Sequence, residues 1–270
     1  MVLRESGLHT TSLGPTTAEG GPLVAFCHGL FGQGKNWTTI AKALAPDHRV
    51  LLVDMPDHGR SAWTERFDYV EVADRVAELF DADDPVALVG HSMGGKAAMV
   101  LALRHPELVE RLCVVDISPV DYEARGEFGG YIAAMQALDL GALQHRRDAD
   151  AALADAVPNP TVRSFLLQNL RRGDDGGWSW QPNLDLLGRD LAALGGWPEE
   201  ALAGHPPYEG RTLWIAGETS DYVEPHYAEE MDRWFPRNRK VTIKGAGHWV
   251  HSEQPEVFTE VLRRFLAADR

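Results

Sequence analysis

Cysteine is nearly absent: Cys27 and Cys113 are the only two in 270 residues, and both lie in apolar, strand-like runs. That argues against a disulfide framework and suits a reducing compartment. No His-x-x-x-His or Cys-x-x-Cys spacing occurs, so no metal is expected. The dinucleotide glycine pattern is missing after the first strand-like run, so no redox cofactor is expected either. No apolar stretch approaches the roughly 18 residues that span a bilayer. Met1 to Gly21 holds no segment apolar enough for a signal sequence. A cytoplasmic chain without a membrane span is the expectation. Basic residues are also scarce, 26 against 40 acidic, for a net charge of −14. This balance disfavours nucleic acid or an anionic membrane as the main partner and leaves a small-molecule substrate. The pairs Arg146-Arg147 and Arg171-Arg172 leave room for a polyanion, although their plain reading is a solvated helix face.

What the chain does have is a regular beat. Short apolar runs at Leu23–Cys27, Val50–Val53, Val86–Val89, Leu112–Val115, Leu213–Ala216 and Lys240–Ile243 read as buried strands. Helical periodicity fills Trp37–Ala45, Tyr69–Phe80 and Lys96–Arg104. Such alternation predicts an α/β fold with a mostly parallel sheet covered on both faces, whose reactive edge lies at the carboxyl ends of the strands. After Asp116 the beat breaks for about ninety residues, where a crossover needs on the order of a dozen. The surplus is Ala-rich and aromatic, too apolar for a disordered loop, and reads as a helical cap. The expected division is a core of residues 1–120 and 209–270 with a cap at 121–208.

Gly90-His91-Ser92-Met93-Gly94 sits between a strand-like and a helix-like run. Two glycines flanking a serine at this spacing read as a nucleophile elbow, because side chains there would collide with the neighbouring strand and helix. A serine hydroxyl needs a base that is near neutral at working pH, which points to histidine. Among eleven histidines, His248 follows the last strand-like run in a glycine-rich loop, and gives the Ser, acid, His order of such folds. Two acids compete to orient it. Asp116 ends the strand after the nucleophile helix, Asp221 follows the next strand, and spacing leaves both open. The amides of Leu30 and Met93 are the expected oxyanion donors. Phe31, Trp37 and Trp249 are expected in the substrate pocket. His28 reads as a loop anchor, and His58 as chemical in appearance but structural in role. Together these parts would carry acyl transfer to water.

At this point the chain resembles the α/β-hydrolases, and within them the YbfF-type esterases and their mitochondrial relatives. The matching strings are HGLFG (28–32), NW (36–37), DHGRS (57–61), GHSMGGKAAM (90–99), VVDISPVDY (114–122), PYEGRTLWIAGETSDYV (207–223) and GAGHWVHSEQP (245–255). The resemblance implies a cap inserted after the sixth core strand, hydrolysis of carboxylic esters, often of acyl-CoA thioesters, and Asp116 as the acid. Pro56-Asp57 departs from the arginine-asparagine common there, which bears on that turn only. Two other uses of the parts are proton abstraction or C–C chemistry, as in the similar MenH-type enzymes, and ligand reception on a hydrolase fold.

Overall fold

The computed structural model describes residues 6–15, 21–122 and 126–267. The outer ends of the expected core, residues 16–20 within it, and 123–125 within the expected cap lie outside the described residues. The strands are β1 Thr10–Leu13, β2 Leu23–Cys27, β3 Arg49–Val53, β4 Val86–His91, β5 Val109–Val115, β6 Leu170–Arg172, β7 Trp178–Trp180, β8 Arg211–Gly217 and β9 Asn238–Ile243. The helices are α1 Thr38–Leu44, α2 Tyr69–Ala77, α3 Met93–Arg104, α4 Gly126–Ala137, α5 Arg146–Ala152, α6 Pro160–Leu167, α7 Leu184–Arg189, α8 Leu191–Gly195, α9 Glu199–Leu202, α10 Ala228–Trp234, α11 Val250–Glu253 and α12 Pro255–Ala267.

Seven strands form one sheet in the order β1-β3-β2-β4-β5-β8-β9. All neighbours are parallel except the edge pair β1 and β3. Alternate side chains feed two cores, as a period of two requires. Ala25, Cys27, Leu51, Val53 and Leu88 face α2 and α3, while Val24, Phe26, Val50, Leu52 and Val89 face α1 and α12. Both faces are thus covered, which is why the central strands read as continuous apolar runs. Helix α2 starts at Asp68, whose carboxylate accepts from the amides of Val70 and Glu71, a standard N-cap. Helix α3 is buried at every position from Met93 to Leu103. Burial pushes the Cys27 thiol up to about 12 and raises that of Cys113 as well, so both are inert core residues.

Between β5 and β8 the chain runs through α4 to α9 and the hairpin β6–β7. Three features differ from expectation. The insertion follows the fifth strand rather than the sixth, because one polar edge strand, Thr10–Leu13, precedes the parallel run and, among the described residues, no sixth strand precedes the insertion. The hairpin brackets the Gly173–Gly177 turn within a segment expected to be helical. Trp37 is fully buried between the sheet and α12, stacked on His251 at 4.1 Å. It belongs to the core face remote from the α3 side, not to a substrate pocket. Among the described residues, no helix is long and apolar enough to cross a membrane.

Four histidines are buried: His28, His58, His91 and His251. Burial, then the neighbouring His58, lowers His28 to about 3. Burial, then His248, lowers His251 to about 3. Burial lowers His58 and His91 too. A histidine held neutral in the folded chain binds no proton there, whereas the unfolded chain binds one below about pH 6.5. Its stabilising contribution is complete above that pH and is lost as pH falls toward the folded value. Across the window each one makes stability fall as the pH falls. Urea unfolding followed by circular dichroism should therefore weaken steadily from pH 6.5 to 4. His251→Phe should remove about one histidine's share of that slope; an unchanged slope would refute the assignment.

Candidate active site

The carboxyl ends of β2, β4, β5 and β9 converge on one patch. Ser92 follows β4 with φ 52 and ψ −121, a strained conformation that costs on the order of 1–3 kcal/mol. Its glycines are there for contact. A Cβ on Gly90 would lie 2.3 Å from the Gly94 carbonyl oxygen, and one on Gly94 would lie 2.4 Å from that of His28. The turn leaves the Ser92 hydroxyl 3.0 Å from His248 Nε2. On the other side, His248 Nδ1 donates to Asp116 Oδ2 at 2.8 Å. Asp116 is fully buried and also carries a positive φ of 53. Its Oδ1 accepts from the Gly217 amide at 2.9 Å, and its Oδ2 from the Ser220 hydroxyl. The Tyr222 ring stacks on the imidazole at 4.2 Å, and His91 Nε2 donates to the His248 carbonyl at 2.8 Å.

The two histidines of the neighbouring loops have structural jobs. His28 Nδ1 donates to the Gly29 carbonyl at 2.8 Å and Nε2 accepts from the Met55 amide at 2.9 Å. His58 Nδ1 donates to Pro56 at 2.9 Å and Nε2 accepts from the Phe31 amide at 3.2 Å. One donor and one acceptor on each ring require the neutral form. The Phe31 carbonyl is held from the insertion by Asn169 Nδ2 at 2.7 Å, and Asn169 Oδ1 accepts from Gln33 at 2.6 Å. These bonds hold Phe31 at both its amide and its carbonyl, next to Leu30. Met93 occupies the first turn of α3, where amides have no helical partner. Leu30, Ser92 and Met93 border one narrow cavity of about 60 Å³, walled by Tyr69, Ile117 and Leu191.

Of the expected pocket residues, Phe31 and Trp249 line a second small space beside Ser92 and His248; Trp37 does not. Asp221 is exposed, while the carboxylate at the imidazole belongs to Asp116. Ser220 and Asn169 escaped the sequence reading. Ser220 is one serine in a loop; Asn169 had a signal, an amide set in the apolar stretch Phe165–Leu170. Lys96 lies at the cavity wall, 1% exposed, with Nζ donating to the carbonyls of Val120, Gly195 and Gly196 at 2.9, 2.5 and 2.6 Å. Burial pushes it down to about 7. Among the described residues, no group of three His, Cys, Asp or Glu side chains is placed to hold a metal ion.

Comparison with known proteins agrees in kind. Residues 22–255 match the family model described as the alpha/beta hydrolase fold. The chain is 40% identical over 254 residues to the sn-1-specific diacylglycerol lipase ABHD11 of Mus musculus, covering 91% of this chain and 81% of that protein. It is 33% identical over 245 residues to the esterase YbfF of Escherichia coli (strain K12), covering 90% and 92%. Among solved structures it is similar to a marine microorganism esterase, with a TM-score of 0.89 and 31% identity over 96% of this chain and 98% of that one.

The elbow geometry makes a direct prediction. Gly94→Ala must push a Cβ into the backbone of the loop after β2. The expected loss is about 1–3 kcal/mol of unfolding free energy in urea. A variant as stable as the parent would show that the close approach is not needed.

Proposed function

The chain belongs to the alpha/beta hydrolase fold family, and we propose from that premise that it cleaves carboxylic esters, and thioesters of the same acyl groups, through an acyl-serine intermediate. The observation that carries the reading is the continuous relay from Asp116 through His248 to Ser92. Ser92 Oγ attacks the acyl carbonyl carbon while its proton passes to His248 Nε2. Asp116 fixes the imidazole tautomer and stabilises the imidazolium that forms. The carbonyl oxygen becomes an oxyanion facing the Leu30 and Met93 amides. As the tetrahedral centre collapses, the C–O or C–S bond breaks and the leaving group takes the proton from His248. Water then attacks the acyl-serine, gives its proton to His248, and the acid departs as Ser92 Oγ regains that proton.

The narrow apolar cavity beside Met93 suits a short acyl chain. The space walled by Phe31, Phe165 and Trp249 suits the leaving group. Residues 121–208 act as the cap, since Phe128, Leu191 and Leu194 from this stretch wall the acyl cavity.

Ser92→Ala is expected to abolish turnover of p-nitrophenyl butanoate and labelling by a fluorophosphonate, with the circular dichroism spectrum unchanged. Asp116→Asn should lower kcat by about four orders of magnitude, and Asp221→Asn by less than about threefold. The reverse ranking would transfer the acid's role to Asp221. A panel of p-nitrophenyl esters and matched acyl thioesters would then order the substrates by chain length.

A further inference from the structure

Two cavities among the described residues are lined by four cations each; the one at Arg49, Arg111, Arg211 and Arg237 also holds Asp83, Asp84 and Glu110, whereas the other has a single acid. Lys35, Arg146, Arg147 and Arg171 surround a space of about 560 Å³. Its one acidic lining residue, Asp150, is bound by Arg163 at 2.7 Å. Burial, then repulsion from Arg171 and Arg146, lowers the Lys35 ammonium. Burial, then Arg146, lowers Arg171. The acid that acts on both from nearby, Asp54, already accepts from the amides of Gly34 and Arg60 at 2.7 and 3.0 Å. Part of the cluster is held in place. Arg171 Nη1 donates to the Gln168 carbonyl at 2.8 Å, and Arg146 Nη2 to that of Leu170 at 2.7 Å. Arg147 stands 3.8 Å from Asp148; Lys35, Arg146 and Arg171 remain as like charges gathered in a concavity, and their repulsion is relieved when an anion is held there.

Shared walls link this cavity to the patch around Ser92 and His248. An open groove of about 720 Å³ follows α6. It shares Val162, Phe165 and Trp249 with the space beside Ser92 and His248. At its other side it shares Ser164 and Gln168 with the cationic cavity. The groove therefore wraps α6, and a helix is about 10–12 Å across.

We propose that Lys35, Arg146, Arg147 and Arg171 bind a phosphate group carried at the far end of the substrate's leaving group. The inference rests on the hydrolase reading above. It adds that the alcohol or thiol portion is extended, lies along the α6 groove, and ends in a phosphate roughly a helix's width from the scissile carbonyl. Guanidinium groups suit this ligand because their donors match phosphate oxygens in pairs. The net charge sharpens the case: without a local site, a chain at −14 would repel a phosphorylated substrate.

Three soluble probes test it: the butanoate ester of tetraethylene glycol monophosphate, the same ester ending in a methyl ether, and the butanoate ester of 2-hydroxyethyl phosphate. At low ionic strength the long phosphorylated ester should show kcat/KM about tenfold above the methyl ether, through KM. The short phosphorylated ester should show no gain. In Lys35→Gln/Arg147→Gln the gain should fall at least about fivefold while turnover of the methyl ether is unchanged. Calorimetric titration with inorganic pyrophosphate reads the same site without turnover, and its heat should vanish in the double variant. Equal rates on the two long esters, a gain that survives the double substitution, or no pyrophosphate binding would overturn the proposal. Phosphatidylglycerol vesicle sedimentation that responds to the variant, without discrimination between the soluble esters, would overturn it in favour of membrane adsorption. No turnover of any ester and an unlabelled Ser92 would instead sink the hydrolase reading, leaving the pyrophosphate titration to decide the site.

Discussion

His248 bridges a hydroxyl at the end of one strand and a carboxylate at the end of the next, although its own loop leaves β9, two positions along the sheet from β5. With strands about 4.8 Å apart, that loop has to reach back roughly 10 Å across β8. Several contacts hold it there. The Ala246 carbonyl accepts from the Thr219 amide at 3.0 Å, Glu253 accepts from the Gly247 amide at 2.7 Å, and His91 fixes the His248 carbonyl. A Cβ on Gly217 would lie 2.2 Å from the Gly247 carbonyl, so the crossing is as tight as the backbone permits. The sheet, the elbow and the glycines all serve this one span.

The neighbouring imidazoles make the span chemically selective. His28 and His58 each donate from one nitrogen and accept at the other, so a proton added to either ring would face an amide N–H. His91 is buried and spends its Nε2 on the His248 carbonyl. The ring whose Nε2 stands 3.0 Å from the Ser92 hydroxyl is that of His248, whose side chain keeps 13% of its surface in contact with solvent.

Much of this was legible because the signals were local. Val86–Val89 before Gly90-His91-Ser92-Met93-Gly94 announces a strand, a strained turn and a helix in one reading, and the observed β4 and α3 extend it only slightly. Parallel strands buried on both faces leave apolar runs that need no partner to be recognised. The misreadings share a different cause. Trp37 follows the His28–Gly32 loop closely in sequence, but the alternation that separates the two sheet faces sends it to the far core. Thr10–Leu13 has no apolar run to announce it, since an edge strand with exposed side chains needs none. The choice between Asp116 and Asp221 depended on which strand end lies nearer His248, a tertiary distance that spacing does not encode. Ser220 and Asn169 act through partners far along the chain, so composition around them says little of their role.

Lys96 shows how the insertion and the core become one unit. Every other residue of α3 from Met93 to Leu103 is apolar or glycine. Yet its ammonium satisfies three carbonyls: one at Val120, where the chain leaves the core, and two at Gly195 and Gly196, near the end of the helices that follow. The rings of Tyr122 and Tyr69 lie 4.8 and 5.8 Å from Nζ, adding a face for the cation. The Lys96 amide meanwhile donates to the Ser92 carbonyl at 3.0 Å, closing the first turn of α3. An apolar residue would take the Lys96 donor from the carbonyls of Val120 and Gly196, at a cost of about 1–3 kcal/mol each, while the Gly195 carbonyl would keep the Tyr122 amide at 3.0 Å. The start of the insertion and its Gly195-Gly196 turn are therefore fastened one helical turn below Ser92, so the cavity wall at Leu191 and Leu194 is tied to the turn that carries that serine.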